Sequence, residues 1–264
     1  MVTGKQVRFS KITKNRKMLC IPMDHSFTEG PIAGLEDPEE MIIKVAKGGA
    51  TSFLVHKGIV KALKKPVPIG MIMHASASTN LGLAPNRKML CASVLEGVRL
   101  GVDAISLQVN MGSKEEPEML EQLGTVADQC DDYQMPFIAM MYPRGENIKD
   151  PTDPTLVAHV ARVGAEAGAD IVKTVYTGSP ETFREVVRKC PVPVVLAGGV
   201  KVETDREILK LASDVMESGA MGVTFGRNVF QHRNPTLIVR AIRRIVIEGS
   251  SVEEALEVMG AATA

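Results

Sequence analysis

Short runs of apolar and β-branched residues alternate with segments of helical periodicity along the whole chain. Runs of this kind are typical of buried strands, and apolar residues at three- and four-residue spacing are typical of helices that pack on a sheet. Repeated strand–helix units favour an α/β protein with a parallel sheet. The eight predicted strands are Leu19–Asp24, Ser52–His56, Ile69–His74, Ala104–Asn110, Phe137–Tyr142, Ile171–Val175, Val194–Ala197 and Gly222–Gly226.

The turns before these strands alternate between glycine and proline. Prolines precede the third, fifth and seventh strands, whereas glycines precede the even-numbered ones, where glycine can take the left-handed conformation that ends a helix. The glycines recur at about every second strand–helix unit, four times over, and a closed eight-stranded barrel explains that repeat most simply. We therefore predict a single (β/α)8 TIM barrel over residues 1–264, with residues 1–17 as an N-terminal extension or helix. The four turn glycines are Gly49, Gly101, Gly168 and Gly219.

A doubly wound open sheet is the alternative fold, and it would place a glycine-rich phosphate loop after the first strand. That turn, residues 23–30, is instead polar and acidic. Glycine pairs come late, at Gly198 and Gly199 and then at Gly226 before Arg227. Barrel enzymes commonly bind phosphate after their seventh and eighth strands, often beside a short extra helix. We predict that helix over residues 227–231.

The composition excludes several classes of function. The 264 residues include 31 basic and 31 acidic side chains, so the chain lacks the general positive charge that favours nucleic acids or anionic membranes. The longest apolar run, residues 135–142, is far shorter than the roughly 20 residues that a membrane helix needs. The basic, polar N-terminus has no secretory signal pattern, and the four cysteines are widely spaced. These features predict a cytoplasmic protein that binds neither nucleic acid nor membrane.

Polar residues end most of the predicted strands, and in a barrel these ends converge on one face. Lys173 lies within its strand, on the same face as Ile171 and Val175. If that face lines the barrel, burial should lower the pKa of the amine and favour Schiff-base formation with a carbonyl. A lysine that points outward at a strand end is the other interpretation. The strand-end residues are Asp24, His56 with Lys57, His74, Asn110, Tyr142, Lys173, Gly198 with Gly199, and Arg227.

Two of these residues are candidates for proton transfer beside Lys173. Tyr142 ends the neighbouring strand and Asp24 ends the first strand, so a phenol and a carboxylate can divide the acid and base roles. Tyr142 could instead bond the backbone at the rim, and Asp24 could cap the following loop. Lys57 is a second Schiff-base candidate, but its place beside Gly58 suits contact with a charged substrate group better. We also assign His56, which precedes it, to substrate binding.

A metal site is the competing interpretation of the same strand ends. Asp24, His56 and His74 end three neighbouring strands and could ligate a divalent ion, as in metal-dependent aldolases. Hydrogen bonding by the two histidines is the simpler alternative, and we expect no metal and no other cofactor.

At these residues the sequence resembles the DhnA-type class I aldolases of archaea and some bacteria. The resemblance implies a TIM barrel of the class I aldolase type. It implies that Lys173 forms the Schiff base, Tyr142 donates a proton and Asp24 accepts one, without a metal. It assigns the substrate phosphate to Gly198, Gly199, Gly226 and Arg227. The matching segments are residues 22–25 with 30–31, 56–59, 140–145, 170–174 with 176–178, 197–199 and 226–231.

The resemblance also bears on the substrates. It is closest to members that move a three-carbon unit from a phosphorylated ketose onto L-aspartate semialdehyde, which opens an alternative route to 3-dehydroquinate and the aromatic amino acids. A sister group joins dihydroxyacetone phosphate to the same acceptor, and a third group cleaves fructose 1,6-bisphosphate. The third group has a tryptophan where this chain has Met140. A barrel that binds a phosphosugar without turnover is the non-enzymatic alternative, and relatives suggest a homo-oligomer, commonly a decamer.

Overall fold

A closed parallel barrel forms the centre of the computed structural model, which describes residues 1–199 and 201–260. Its strands follow the circular order β1-β10-β9-β8-β7-β6-β3-β2, and β2 closes the circle by pairing with β1. The predicted (β/α)8 barrel is therefore confirmed. The barrel strands are β1 (Met18–Pro22), β2 (Ser52–His56), β3 (Gly70–His74), β6 (Ala104–Met111), β7 (Phe137–Pro143), β8 (Ile171–Thr174), β9 (Val194–Ala197) and β10 (Gly222–Thr224), and β4 (Ser76–Ala77) pairs with β5 (Met89–Leu90) in a separate antiparallel hairpin.

Helices follow the strands and cover the outside of the barrel. Most begin at a residue whose side chain caps the first free backbone N–H groups; Asp37, for example, accepts a hydrogen bond from the Glu40 amide at 3.0 Å. The helices are α1 (Gly4–Ile12), α2 (His25–Glu29), α3 (Pro38–Gly48), α4 (Lys57–Ala62), α5 (Val94–Leu100), α6 (Glu116–Asp132), α7 (Pro154–Glu166), α8 (Pro180–Lys189), α9 (Asp205–Glu217), α10 (Arg227–Phe230), α11 (Pro235–Val246) and α12 (Val252–Gly260).

The repeated glycines have the role that their spacing predicts. Gly49 and Gly101 end α3 and α5 in the left-handed conformation, and Gly168 and Gly219 also have positive φ angles, of 99° and 85°. Some strands end earlier than predicted, since β1 stops at Pro22 and β10 at Thr224. The residues beyond these ends leave the ladder to form the loops of one face of the barrel.

The core has two layers, because alternate residues of each strand point to opposite sides. Outward side chains such as Val172 pack against the helices, whereas Ile171 belongs to a separate cluster inside the barrel. Lys173 is two residues beyond Ile171, so the strand directs it into the interior, as predicted. Ile12 of α1 joins the interior cluster and closes the amino-terminal end of the barrel.

No helix among the described residues is long and apolar enough to cross a membrane. The four cysteines are free thiols; Cys20, Cys130 and Cys190 are buried, and Cys91 is half-buried.

Ile12→Ala should destabilise the protein by about 2–5 kcal/mol, because it removes a fully buried side chain from the interior cluster. Urea denaturation followed by circular dichroism measures the change. Val7→Ala, at a half-exposed position of the same helix, is the matched control and should change the free energy of unfolding by about 0.5 kcal/mol or less. Equal, small effects at both positions would contradict a role for α1 in closing the barrel.

Candidate active site

A pocket of about 360 Å³ opens at the carboxyl ends of the barrel strands. It contains Asp24, Tyr142 and Lys173 together with the predicted phosphate residues Gly198, Gly199, Gly226 and Arg227, so the structure brings these predicted site residues into one place. A second cavity of about 430 Å³ lies at the amino-terminal end, beside α4 and α5. The first pocket is the candidate active site because the strand-end residues line it.

Lys173 is the central residue of this pocket. It is only 6% exposed, its Nζ atom lies 3.8 Å from the Met140 sulfur, and the Tyr142 phenol is among the groups that stabilise its charge. Burial lowers the pKa of the amine, but its interactions with Tyr142 and with the Asp24 carboxylate are together larger, so the pKa of Lys173 is raised. The expectation of a lowered pKa was wrong, because the sequence did not reveal how closely the phenol and the carboxylate surround the amine. Lys173 is therefore an ammonium in the free protein.

Asp24 is held as a carboxylate in the same pocket. It directly precedes α2, but its side chain does not cap that helix. Its oxygens lie 3.6 Å from His25 Nδ1 and 4.0 Å from His74 Nε2. Burial would raise the pKa of Asp24, but the positive charge that His74 and His25 gain in acid, together with the Lys173 ammonium, holds it well below its usual range. The carboxylate is thus free of the helix and available to accept a proton.

Tyr142 lies near the end of β7, on the strand next to Lys173. The register pairs Met140 with Lys173, and Tyr142 follows two residues later on the same side. The phenol is buried, with only 8% of the residue exposed, and the Arg144 guanidinium lies 5.3 Å from the ring centre. The interior position agrees with the predicted contact between this phenol and the lysine.

The neighbouring histidines are buried and tend to be neutral. Burial lowers the pKa of His74 to about 3, and it also lowers the pKa values of His25 and His56. His74 Nδ1 lies 2.8 Å from the Ser106 hydroxyl, which fixes the ring beside Asp24. Within the described part of the chain, no group of three or more His, Cys, Asp or Glu side chains is arranged to hold a metal ion. His74 thus makes the hydrogen bond that the simpler interpretation of these histidines expects.

The predicted phosphate residues form two turns after β9 and β10. Gly199 has a positive φ of 63°, and a Cβ atom at Gly226 would lie only 2.7 Å from the His25 ring, so both positions favour glycine. The Asn228 amide donates to the Gly198 carbonyl and joins the two turns. Arg227 begins the short helix α10, as predicted, and forms an ion pair with Glu29 of α2. A bound anion would therefore share Arg227 with this carboxylate or displace it.

Two predicted substrate-binding residues lie outside the pocket. The chain enters α4 directly after β2, and this turns Lys57 toward α5, where its Nζ atom pairs with Glu96 at 3.0 Å. His56 is buried behind the pocket, with its ring centre 4.6 Å from that of Phe27 and 5.2 Å from that of His74. Neither residue lines the pocket, so their positions do not support the predicted role in substrate binding.

Several pocket residues escaped the sequence interpretation. Arg144 belongs to the matching segment 140–145, but nothing in the sequence pattern assigned it a function. Glu29 and His25 lie on helix α2, where the sequence predicted a turn. Lys88 comes from the β4–β5 hairpin, which is an addition to the repeated strand–helix units. The polar residues at the strand ends do not include Lys88, because the hairpin lies outside the barrel sheet.

A (β/α)8 barrel with a buried lysine between a phenol and a carboxylate is suited to covalent chemistry on carbonyl groups. The family model of the DeoC/LacD aldolases matches residues 18–232. The chain therefore belongs to the DeoC/LacD family of aldolases and is an aldolase-type enzyme.

Two curated relatives and one solved structure are similar to nearly the whole chain. The 2-amino-3,7-dideoxy-D-threo-hept-6-ulosonate synthase 1 of Archaeoglobus fulgidus is 42% identical over 97% of this chain and 96% of its own. The 2-amino-4,5-dihydroxy-6-oxo-7-(phosphonooxy)heptanoate synthase of Streptomyces griseus is 39% identical over 83% of this chain and 81% of its own. The solved structure is an archaeal fructose-1,6-bisphosphate aldolase with its catalytic lysine covalently bound to the carbinolamine intermediate of the substrate. It has a TM-score of 0.86 and 30% sequence identity, and the match covers 92% of this chain and 99% of the aldolase.

The raised pKa of Lys173 predicts that attack by its amine becomes faster as pH increases. Below the pKa, the neutral fraction grows about tenfold for each pH unit. Acetylacetone condenses with an amine to an absorbing enaminone, so the rate of adduct formation can be followed across the neutral range.

Asp24→Asn should make this adduct form faster at neutral pH, because loss of the carboxylate lowers the pKa of Lys173 and leaves burial as the main influence. Asp132→Asn, at an exposed position in α6, is the control and should leave the profile unchanged. An unchanged profile in Asp24→Asn would show that the carboxylate does not stabilise the ammonium.

Proposed function

We propose that the protein is a class I aldolase or transaldolase that uses Lys173 to transfer a three-carbon unit from a phosphorylated ketose onto L-aspartate semialdehyde. The product would be 2-amino-3,7-dideoxy-D-threo-hept-6-ulosonate, on the alternative route to 3-dehydroquinate and aromatic amino acids. The observation that carries the proposal is the buried ammonium of Lys173 in contact with Tyr142 and under the attraction of Asp24. The name of the Archaeoglobus fulgidus relative supports the choice of product.

The Lys173 ammonium releases one proton to water, and its amine attacks the carbonyl carbon of the ketose. A C–N bond forms, and the carbonyl oxygen takes a second proton from the nitrogen to become the hydroxyl of a carbinolamine. Tyr142 protonates that hydroxyl, which leaves as water, and the electron pair of the nitrogen completes the C=N bond of the iminium. The Asp24 carboxylate then takes the proton of the substrate's β-hydroxyl. The adjacent C–C bond breaks, its electron pair neutralises the iminium, and an aldehyde departs. The remaining enamine attacks the acceptor aldehyde, which recovers the proton from Asp24, and hydrolysis frees Lys173.

The phosphate of the donor would bind at the turns that contain Gly198, Gly199 and Gly226, with Arg227 as its cation. Backbone N–H groups at glycine turns can approach a phosphate closely because no Cβ stands in the way. Arg227 supplies a planar fork of donors that suits phosphate oxygens. Its ion pair with Glu29 holds the guanidinium beside the turns until the substrate arrives.

Two other reactions catalysed within this aldolase group are alternatives, because they would use the same lysine. Condensation of dihydroxyacetone phosphate with aspartate semialdehyde is supported by the Streptomyces griseus relative, and cleavage of fructose 1,6-bisphosphate by the archaeal structure. The Met140 sulfur lies 3.8 Å from Lys173, in the place of the tryptophan expected in the bisphosphate aldolases. This favours an aspartate-semialdehyde enzyme. A barrel that binds a phosphosugar without turnover would form no covalent adduct.

Location and assembly belong to the same proposal. We expect the enzyme in the cytoplasm and as a homo-oligomer, commonly a decamer among relatives, with a phosphorylated sugar and an aldehyde as its small-molecule partners. We expect no nucleic acid, membrane, metal or other cofactor to take part.

Lys173→Met should reduce turnover by about 10⁴-fold or more, because Lys88, the other amine that lines the pocket, lies in the β4–β5 hairpin and is hydrogen-bonded to Ser78. The fold should survive, since methionine fills a similar volume among apolar neighbours. Reduction with borohydride in the presence of a phosphorylated ketose should label the Lys173 peptide of the unmodified protein and leave the variant unlabelled. Retained turnover in the variant would refute the Schiff-base assignment, and loss of activity with EDTA would favour a metal mechanism.

Incubation with L-aspartate semialdehyde and candidate donors should identify the reaction. We expect a seven-carbon product without phosphate when the donor is a phosphorylated ketose that leaves its phosphate with the departing fragment. A product that retains phosphate from dihydroxyacetone phosphate would indicate the sister reaction. Mass spectrometry distinguishes the two, and rapid cleavage of fructose 1,6-bisphosphate without use of the acceptor would support the third alternative.

A further inference from the structure

Two cations in the pocket have no part in the chemistry described above. Lys88 is only 7% exposed, and its Nζ atom donates a hydrogen bond to the Ser78 hydroxyl at 2.6 Å. Arg144 lies over the Tyr142 ring. Among the residues that the structure describes, neither of these cations forms an ion pair with a carboxylate.

The charges that line the pocket are therefore unbalanced. Glu29 pairs with Arg227, and Asp24 and Lys173 attract each other, which leaves Lys88 and Arg144 as the excess cations. Arg144 is exposed, but Lys88 is buried, and a buried cation without an anion is costly. Burial and the repulsion from Arg144 lower the pKa of Lys88 to about 8, which agrees with a missing negative partner. An anionic ligand group would restore the balance.

The barrel order places these cations away from the phosphate turns. Lys173 is on β8, and the turns with Gly198 and Gly226 follow β9 and β10 on one side of it. Arg144 follows β7 on the other side, and Lys88 belongs to the hairpin beyond β3. A substrate that reacts at Lys173 with an anionic group at each end would therefore contact both cation sites.

We propose that Lys88 and Arg144 form a second anion subsite, which binds the carboxylate of the incoming aldehyde. This inference rests on the proposed function, in which the acceptor is an amino-acid aldehyde. The guanidinium of Arg144 can bind a carboxylate through two parallel hydrogen bonds, and Lys88 adds a point charge. A second phosphate on a bisphosphorylated ketose is the other source of the same chemistry, and the experiment separates the two.

The experiment uses Lys88→Met and Arg144→Met, with Lys65→Met as the control. Lys65 is an exposed lysine before β3, at the opposite end of the barrel. The KM is measured for L-aspartate semialdehyde and for butanal, an aldehyde of equal chain length without charge. Borohydride trapping of dihydroxyacetone phosphate on Lys173 reports donor binding and an intact fold.

We expect KM for L-aspartate semialdehyde to rise about tenfold to a hundredfold in both pocket variants, the usual effect of losing one charged hydrogen-bonding partner. KM for butanal and the trapping of the donor should stay near the values of the unmodified protein, and Lys65→Met should match that protein in every measurement. This pattern would support an acceptor carboxylate at the subsite.

Other patterns would overturn the proposal. Lost trapping in the pocket variants would mean that these cations bind the donor phosphate or maintain the fold, and an equal rise in KM for butanal would indicate a role in shaping the pocket. An increased KM for fructose 1,6-bisphosphate with an unchanged KM for L-aspartate semialdehyde would identify a second phosphate as the anion. Failure of the unmodified protein to trap any ketose phosphate would instead refute the proposed function, before any variant is compared.

Discussion

The structure of the site depends on keeping one ammonium, that of Lys173, inside the barrel. An isolated ammonium in an apolar interior would give up its proton or leave for solvent, because the cost of desolvating the charge is large. Here the Asp24 carboxylate and the Tyr142 phenol offset that cost, and the pKa rises. The free enzyme thus holds the Lys173 amine in its protonated form, beside the two groups to which the proposed mechanism gives the proton transfers.

The barrel makes this arrangement possible because it brings distant parts of the chain to one face. Asp24 follows β1, whereas Tyr142 and Lys173 come from the neighbouring strands β7 and β8. The interior below them is filled by apolar side chains, including Ile138 and Ile171, and α1 closes the far end. The Lys173 amine therefore lies between this apolar interior and the pocket, where the neighbouring charged and polar groups decide its protonation.

Much of this could be predicted because it follows from regular patterns. The alternation of strands and helices, with glycine at every second turn, identified the barrel, and the two-residue period of its strand placed Lys173 inside. The position of Lys57 could not be predicted, because it depends on α4 starting directly after β2. Lys88 was missed because it comes from a hairpin outside the repeat. The pKa of Lys173 was misjudged because burial is visible in a pattern of apolar neighbours, whereas the balance of charges needs three-dimensional distances.

Glu29 shows how the site without ligand can pair the Arg227 cation and still leave it able to bind an anionic ligand. The ion pair of Glu29 with Arg227 is about one-third exposed on both sides. Pairs in such partly hydrated positions contribute only about 0–1 kcal/mol, because water and salt screen them. In the proposed function, a phosphate that also receives backbone N–H hydrogen bonds at the glycine turns would gain more than this, so it would compete well for the guanidinium. The carboxylate keeps the guanidinium close to the glycine turns at little cost to binding, whereas Asp24, more deeply buried beside Lys173, is too strongly held to be displaced in the same way.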